Sequence, residues 1–148
     1  MSMNVLIPYV PTPEEKVEKM VAFANVKQGQ KSVDLGAGDG RIVIAMAKAG
    51  AQAYGFELIQ KYARRAKVNI IEEGLQDKTF IFQSDFWNED LSSFHIVTIY
   101  AMAMLMEDLE KKLTAELRPG TIVISNGFEI PNWKAVKVED FLYFYIKR

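Results

Sequence analysis

A chain of 148 residues, 49% hydrophobic and 25% charged, has the length and make-up of one globular domain with its own core. Its 18 basic and 19 acidic residues leave a net charge of -1, so the overall balance does not indicate nucleic acid as a partner. With no cysteine there is no disulfide, thiolate metal site or thiol nucleophile, and the single histidine, His95, builds no multi-histidine site, so no metal is expected.

The opening residues carry neither the basic start nor the apolar stretch of a signal peptide. The most apolar run, Ile96 to Met106, is too short to cross a bilayer. A cytoplasmic monomer without a membrane partner is the expectation. In chain order, Pro8, Pro11 and Pro13 predict an extended opening over residues 1–13. Thr12-Pro13-Glu14-Glu15 then reads as a helix start, with Thr12 as N-cap, Pro13 where a missing N–H is harmless, and Glu15 completing a capping box. Val17, Met20, Val21 and Ala24 form the apolar face of that helix.

A first strand, Ser32 to Leu35, runs into the glycine cluster Gly36 to Gly40, and Ile42, Ile44, Ala45 and Ala47 mark a helix after it. A second strand, Ala53 to Phe56, ends at Glu57, and a helix follows from Ile59 to Glu73 with Gly74 suited to its C-cap. A third strand, Phe80 to Gln83, ends at Ser84-Asp85, and a fourth spans Ile96 to Tyr100. Leu105, Leu109, Leu113 and Leu117 repeat at helical spacing until Arg118-Pro119-Gly120 breaks the pattern. A fifth strand is Ile122 to Ser125. Val136 to Val138 and Phe141 to Ile146 lie close enough to pair as an antiparallel hairpin. Strands alternating with helices predict an α/β fold in one domain, 1–148, built on a mostly parallel sheet.

The glycine cluster Gly36-Ala37-Gly38-Asp39-Gly40 follows a buried strand and opens a helix, where glycines let a ligand approach the backbone and the helix start offers free N–H groups. A dinucleotide site needs G-x-G-x-x-G, but the third glycine position here is Arg41. Asp34 stands just before the loop, ill placed beside a diphosphate and well placed beside an α-ammonium. Glu57, 19 residues after Gly38, suits a ribose diol. Asp85 suits an adenine amino group, and Phe86 or Trp87 a cover for the ring. Each residue also has a plain reading: the loop as a tight turn, Asp85 as a turn cap, Glu57 as an exposed charge. Their order at the ends of three successive strands favours one crevice for S-adenosylmethionine.

The run Val33-Asp34-Leu35-Gly36-Ala37-Gly38-Asp39-Gly40-Arg41-Ile42-Val43 resembles the signature of class I S-adenosylmethionine-dependent methyltransferases. More narrowly, Pro8-Tyr9-Val10-Pro11-Thr12-Pro13 together with this run resembles the archaeal broad-specificity protein lysine methyltransferases, relatives of enzymes acting on the c-type ring protein of ATP synthase. Leu117-Arg118-Pro119-Gly120-Thr121 and Phe128-Glu129-Ile130-Pro131-Asn132-Trp133 extend the likeness over nearly the whole chain. The resemblance implies a Rossmann-like fold: a seven-stranded, mostly parallel sheet with an antiparallel C-terminal hairpin and helices on both faces. It also implies that the N-terminal segment folds over the cofactor and helps form a lysine channel, which brings in Tyr9, Val10, Pro11 and Thr12.

The expected cofactor residues are therefore Val10, Pro11, Asp34, Gly36, Ala37, Gly38, Asp39, Gly40, Glu57, Asp85 and Phe86. Tyr9, Thr12 and Tyr100 are the expected catalytic or channel residues. Tyr100, at the end of a strand, reads equally as core packing with a wet hydroxyl. Strand four is followed by Ala101-Met102-Ala103-Met104, without the Asn/Asp-Pro-Pro-Tyr/Phe motif that holds planar nitrogens, which disfavours adenine and glutamine acceptors. Met102, Met104 and Met106 suit either an adaptable surface or core filling, and His95 reads as structural. The expected activity is methyl transfer to lysine on protein substrates with relaxed specificity. A small-molecule or RNA methyltransferase is the alternative, and a non-catalytic cofactor-binding module a third.

Overall fold

The computed structural model describes residues 10–148. Tyr9, Pro8 and the rest of residues 1–9 lie outside the described residues, so the expectations placed on them are not addressed by it. The elements run α1 (Glu14–Ala24), β1 (Lys31–Leu35), α2 (Arg41–Lys48), β2 (Gln52–Phe56), α3 (Gln60–Glu72), β3 (Thr79–Phe82), β4 (Ile96–Ile99), α4 (Met106–Glu116), β5 (Ile122–Asn126), β6 (Lys137–Glu139) and β7 (Leu142–Ile146). They form one seven-stranded sheet in the order β3-β2-β1-β4-β5-β7-β6. The first five strands are parallel, and β7 runs antiparallel to both β5 and β6.

Alternate residues along each central strand feed opposite faces, because successive side chains of a strand point opposite ways. Val33, Leu35, Val97, Ile99, Val123 and Tyr145 pack with Leu109 and Leu113 of α4 on one face. Ala53, Ile96, Ile124 and Phe144 pack with Val17 and Met20 of α1, Ile42 and Met46 of α2 and Ile70 of α3 on the other. Helices therefore cover both faces, and the central strands β1, β4 and β5 are buried almost throughout and mostly apolar, as a doubly covered parallel sheet requires. The leucine stripe behaves as its spacing predicts: Leu105, Leu109, Leu113 and Leu117 are all buried.

Helix ends show where local signals hold and where they are overruled. After α3, Gly74 takes φ +68, its N–H donates to Ile71 O at 3.0 Å, and Leu75 N–H donates to Ile70 O at 3.1 Å. That pair of bonds is a Schellman ending. The capping box at α1 does not form. Pro13, extended at ψ 148, is the residue whose carbonyl accepts from Lys16 N–H and Val17 N–H, and no side chain caps the helix. Thr12 lies one residue further out, and its hydroxyl meets Asn126 at the end of β5 instead. Pro13 itself stays extended and occupies the cap position, so the helix starts one residue later than the Thr12-Pro13 pattern predicts, and the Thr12 side chain is left to a tertiary partner.

Candidate active site

The carboxyl ends of β1 to β5 share one edge of the sheet, and ligands of open α/β sheets bind outside that edge. Gly36, Gly38 and Gly40 all have positive φ (87, 56 and 85), which only glycine adopts without strain. Gly40 has a second constraint: a Cβ there would lie 3.1 Å from Cβ of Ala66 on α3. It serves the close packing that the third glycine serves in dinucleotide loops, one position earlier.

Asp34 is the penultimate residue of β1 and is buried. Its Oδ1 accepts from the Thr98 hydroxyl at 2.8 Å. Burial pushes the Asp34 carboxyl up to about 7, only partly offset by the Thr98 bond, and the carboxylates of Glu57 and Asp39 add to the rise. A site that holds a carboxylate this reluctantly charged favours a cation beside it. Glu57, at the end of β2, is also buried and organises the loop: Oε1 accepts from Gly38 N–H at 2.7 Å and Oε2 from Ile59 N–H at 2.9 Å. It is not the exposed end-of-strand charge of its plain reading. Each oxygen retains a second lone pair for a ligand hydroxyl.

Asp85 follows β3. Its Oδ1 accepts from Trp87 N–H at 3.1 Å and so caps the short 3-10 turn Phe86–Asn88. The turn-cap reading is thus met, and Oδ2 is left for a ligand. Phe86 is buried, in contact with Trp87 at a ring separation of 4.9 Å, and belongs to the core cluster of Phe56, Leu91 and Phe94. Ser84 Oγ and Trp87 Nε1 are buried without a hydrogen-bond partner among the described residues.

A crevice of about 40 Å³ beside the glycine loop brings Val10, Pro11 and Thr12 together with Asp34, Gly36, Ala37, Gly38, Asp39 and Tyr100. Arg41 also lines it and ties Thr12 to the glycine loop. Its guanidinium grips the Asp39 carboxylate, with Nη2 to Oδ2 at 2.6 Å, and donates from Nη1 to Thr12 O at 3.0 Å. The Asp39 carboxylate therefore works through Arg41. Asn126 Nδ2 lies 3.4 Å from the Thr12 hydroxyl, and Asn126 Oδ1 accepts from Lys16 Nζ at 3.1 Å. Tyr100 packs against Gly127, where an added Cβ would come within 3.3 Å of its ring.

Thr98, Asn126 and Gly127 are site residues that motif reading passed over. The signal for Asn126 was a polar side chain closing an otherwise apolar strand at the ligand edge. His95 sits at the opposite edge, its Nδ1 accepting from Lys31 N–H at 3.0 Å, which is the structural role expected of it. Met106 is buried, whereas Met102 and Met104 are exposed. Among the described residues no group of three or more histidine, aspartate or glutamate side chains is arranged to hold a metal ion.

A strand order of 3-2-1-4-5-7-6 with carboxylates closing β1 and β2 and a glycine loop between them defines a class I S-adenosylmethionine-dependent methyltransferase. Residues 34–137 match the ANTKMT methyltransferase domain, and the chain belongs to that family of enzymes. It is 40% identical over 139 residues to a protein-lysine N-methyltransferase of Saccharolobus islandicus (strain REY15A), covering 90% of this chain and 86% of that one. It is 33% identical to an adenine nucleotide translocase lysine N-methyltransferase of Mus musculus, covering 92% of this chain but only 59% of the longer mouse protein. A crystal structure described as an RNA methyltransferase from Salinibacter ruber, in complex with S-adenosyl-L-homocysteine, superposes with a TM-score of 0.88 at 32% identity over 93% of both chains. S-adenosylmethionine is the cofactor, and the residues present are of a kind that fits it: the buried Asp34 carboxylate would face the ammonium end, Glu57 the ribose and Asp85 the adenine amino group.

Proposed function

We propose that this enzyme methylates lysine side chains of other proteins, with relaxed specificity for the sequence around them. The observation that carries the reading is the 40% identity, over nine-tenths of the chain, to a protein-lysine N-methyltransferase, joined to a crevice mouth lined by Tyr100 and the apolar Val10 and Pro11. S-adenosylmethionine supplies an electrophilic methyl group on a cationic sulfur. This chain's residues must then hold an uncharged amine in line with that methyl group, and positioning of this kind supplies much of a rate enhancement. A narrow aromatic and apolar channel disfavours the ammonium form of a lysine, so its proton leaves to solvent before transfer without a strong base. Tyr100 orients the amine, Tyr9 is its proposed companion, and Thr12 holds the N-terminal segment in place. Residues 1–13 close over the cofactor in this proposal, as part of a single domain that works as a cytoplasmic monomer.

The Salinibacter structure gives RNA a specific claim as the alternative acceptor. The net charge of -1 speaks against it, and the absence of cysteine excludes a thiol adduct to a pyrimidine ring. Incubation with tritiated S-adenosylmethionine and a denatured cell extract, in parallel with total RNA, separates the two. Label mapped by mass spectrometry to lysine is expected. Label on glutamine, arginine or RNA instead of lysine rejects the proposal.

A further inference from the structure

The hairpin tip between β6 and β7 is built against local preference. Asp140 and Phe141 both have positive φ (53 and 59), in a two-residue turn that normally takes asparagine and glycine. A bulky residue in that conformation is strained, and Phe141 is also 69% exposed. Strain and exposed apolar surface at one residue point to a function outside folding. Its place in the fold says which function. Gly127 N–H donates to Phe141 O at 2.7 Å, and Gly127 is the residue against which the Tyr100 ring packs. The tip is thus fastened to the end of β5 beside the acceptor channel. Lys16 Nζ stands 5.9 Å from the centre of the Phe141 ring.

Other exposed apolar side chains share this edge. Phe128 (41% exposed) follows β5, and Met104 (64% exposed) follows β4. Glu107 at the start of α4 and Glu129 after β5 are exposed there and have no ion-pair partner among the described residues. Exposed apolar side chains with two such carboxylates at the same edge suit a cationic chain with bulky side chains, while Lys16 beside Phe141 is engaged by Asn126 Oδ1.

We propose that Phe141, Phe128 and Met104 form a docking surface for a stretch of polypeptide in which bulky apolar residues flank the acceptor lysine, with Glu107 and Glu129 favouring further basic residues. The inference deepens the lysine reading and rests on it. Relaxed specificity then means selection by apolar neighbours and charge, with no fixed sequence read.

The test uses the full chain and two synthetic peptides of equal charge, one with leucine and phenylalanine beside a single lysine, the other with serine in both places. Wild-type kcat/KM should favour the apolar peptide by about tenfold or more, carried chiefly by KM, the weight of one or two partly buried apolar side chains. Phe141→Gly places glycine where the backbone already demands it, and should bring that ratio to within about twofold of one. Phe128→Ala is a second variant that keeps its backbone contact to Ser125, and it should lower the ratio too. Equal rates on both peptides with wild type, or an unaltered ratio in both variants, overturns the docking surface. Absence of lysine label from either peptide, with RNA or a metabolite labelled instead, overturns the lysine reading and this inference together.

Discussion

Asp34 and Thr98 are register partners on the adjacent parallel strands β1 and β4, and the Thr98 hydroxyl donates to Asp34 Oδ1 at 2.8 Å in the middle of the molecule. This bond is what allows a carboxyl to sit at the end of an apolar strand at all. It does not make the charge comfortable, because desolvation outweighs it and the group titrates near 7.

The pH dependence follows from that rise. In the unfolded chain this carboxyl ionises near 3.8, and in the folded protein near 7. Between those values the folded state holds the extra proton, so stability falls as pH rises through the window and is flat above it. The lost stability is a few kcal/mol, because each pH step between the two values costs about 1.4 kcal/mol. Asp34→Asn should melt higher than wild type at pH 8 and close to it at pH 4. Cofactor binding has the opposite sense, since the α-ammonium favours the charged carboxylate. Wild-type affinity should weaken as pH falls below 7, with proton release seen by calorimetry in buffers of different ionisation enthalpy. Asp34→Asn should bind weakly at every pH. Parallel pH profiles for the two proteins would refute the assignment.

Glu57 combines two jobs, so its variants should separate them. Glu57→Ala removes the acceptors of Gly38 N–H and Ile59 N–H as well as the proposed acceptor for the ribose diol. Stability should drop by roughly 1–3 kcal/mol and cofactor affinity by about tenfold to a hundredfold. Glu57→Gln keeps one carbonyl acceptor and should recover part of the stability but less of the affinity. Calorimetric titration with S-adenosylhomocysteine reads the second quantity, and an unchanged dissociation constant in Glu57→Ala would remove Glu57 from the ribose.

Asp34, Glu57 and the glycine loop were legible in the sequence because their chemistry is local to strand ends, and strand ends follow from apolar runs and breakers. The sheet was legible for the same reason. Thr98 was not, because its role depends on which strand lies next to β1 and in what register. Thr12 was misread because a strong capping signal in the sequence competed with Asn126, 114 residues away. The hairpin was expected from the short spacing, but its tip was not, since Asp140 suits a turn while Phe141 stands where glycine is usual.

Arg41 should prove to be the clasp of the N-terminal segment. Arg41→Ala removes the guanidinium's hydrogen bonds to the Thr12 carbonyl and to the Asp39 carboxylate, so the amide protons of Val10 and Thr12 should exchange faster by mass spectrometry while β1 and β4 stay protected. The dissociation constant for S-adenosylhomocysteine should rise by about fivefold to tenfold, the worth of one charged hydrogen bond that orders the segment. Arg41→Lys should not restore it, because one ammonium cannot fork to both Asp39 and the carbonyl. Full rescue by lysine would mean that charge alone matters.

Gly127 abuts Tyr100, the proposed channel residue, at the end of β5, and replacing it should affect activity more than stability. Its φ of +100 is a conformation that side chains rarely adopt, and a Cβ would press on the Tyr100 ring at 3.3 Å. Gly127→Ala should cost about 1–2 kcal/mol from backbone strain. That loss leaves the enzyme folded well below its melting temperature. Displacing Tyr100 by a few tenths of an ångström misaligns whatever it orients, so kcat should fall by about tenfold or more, since alignment of the reacting atoms sets the rate. Tyr100→Phe is the control: it keeps the ring and removes the hydroxyl. If Gly127→Ala loses kcat and Tyr100→Phe does not, the ring shapes the channel. If both lose it, the hydroxyl orients the amine. Normal kcat in both would remove Tyr100 from the channel.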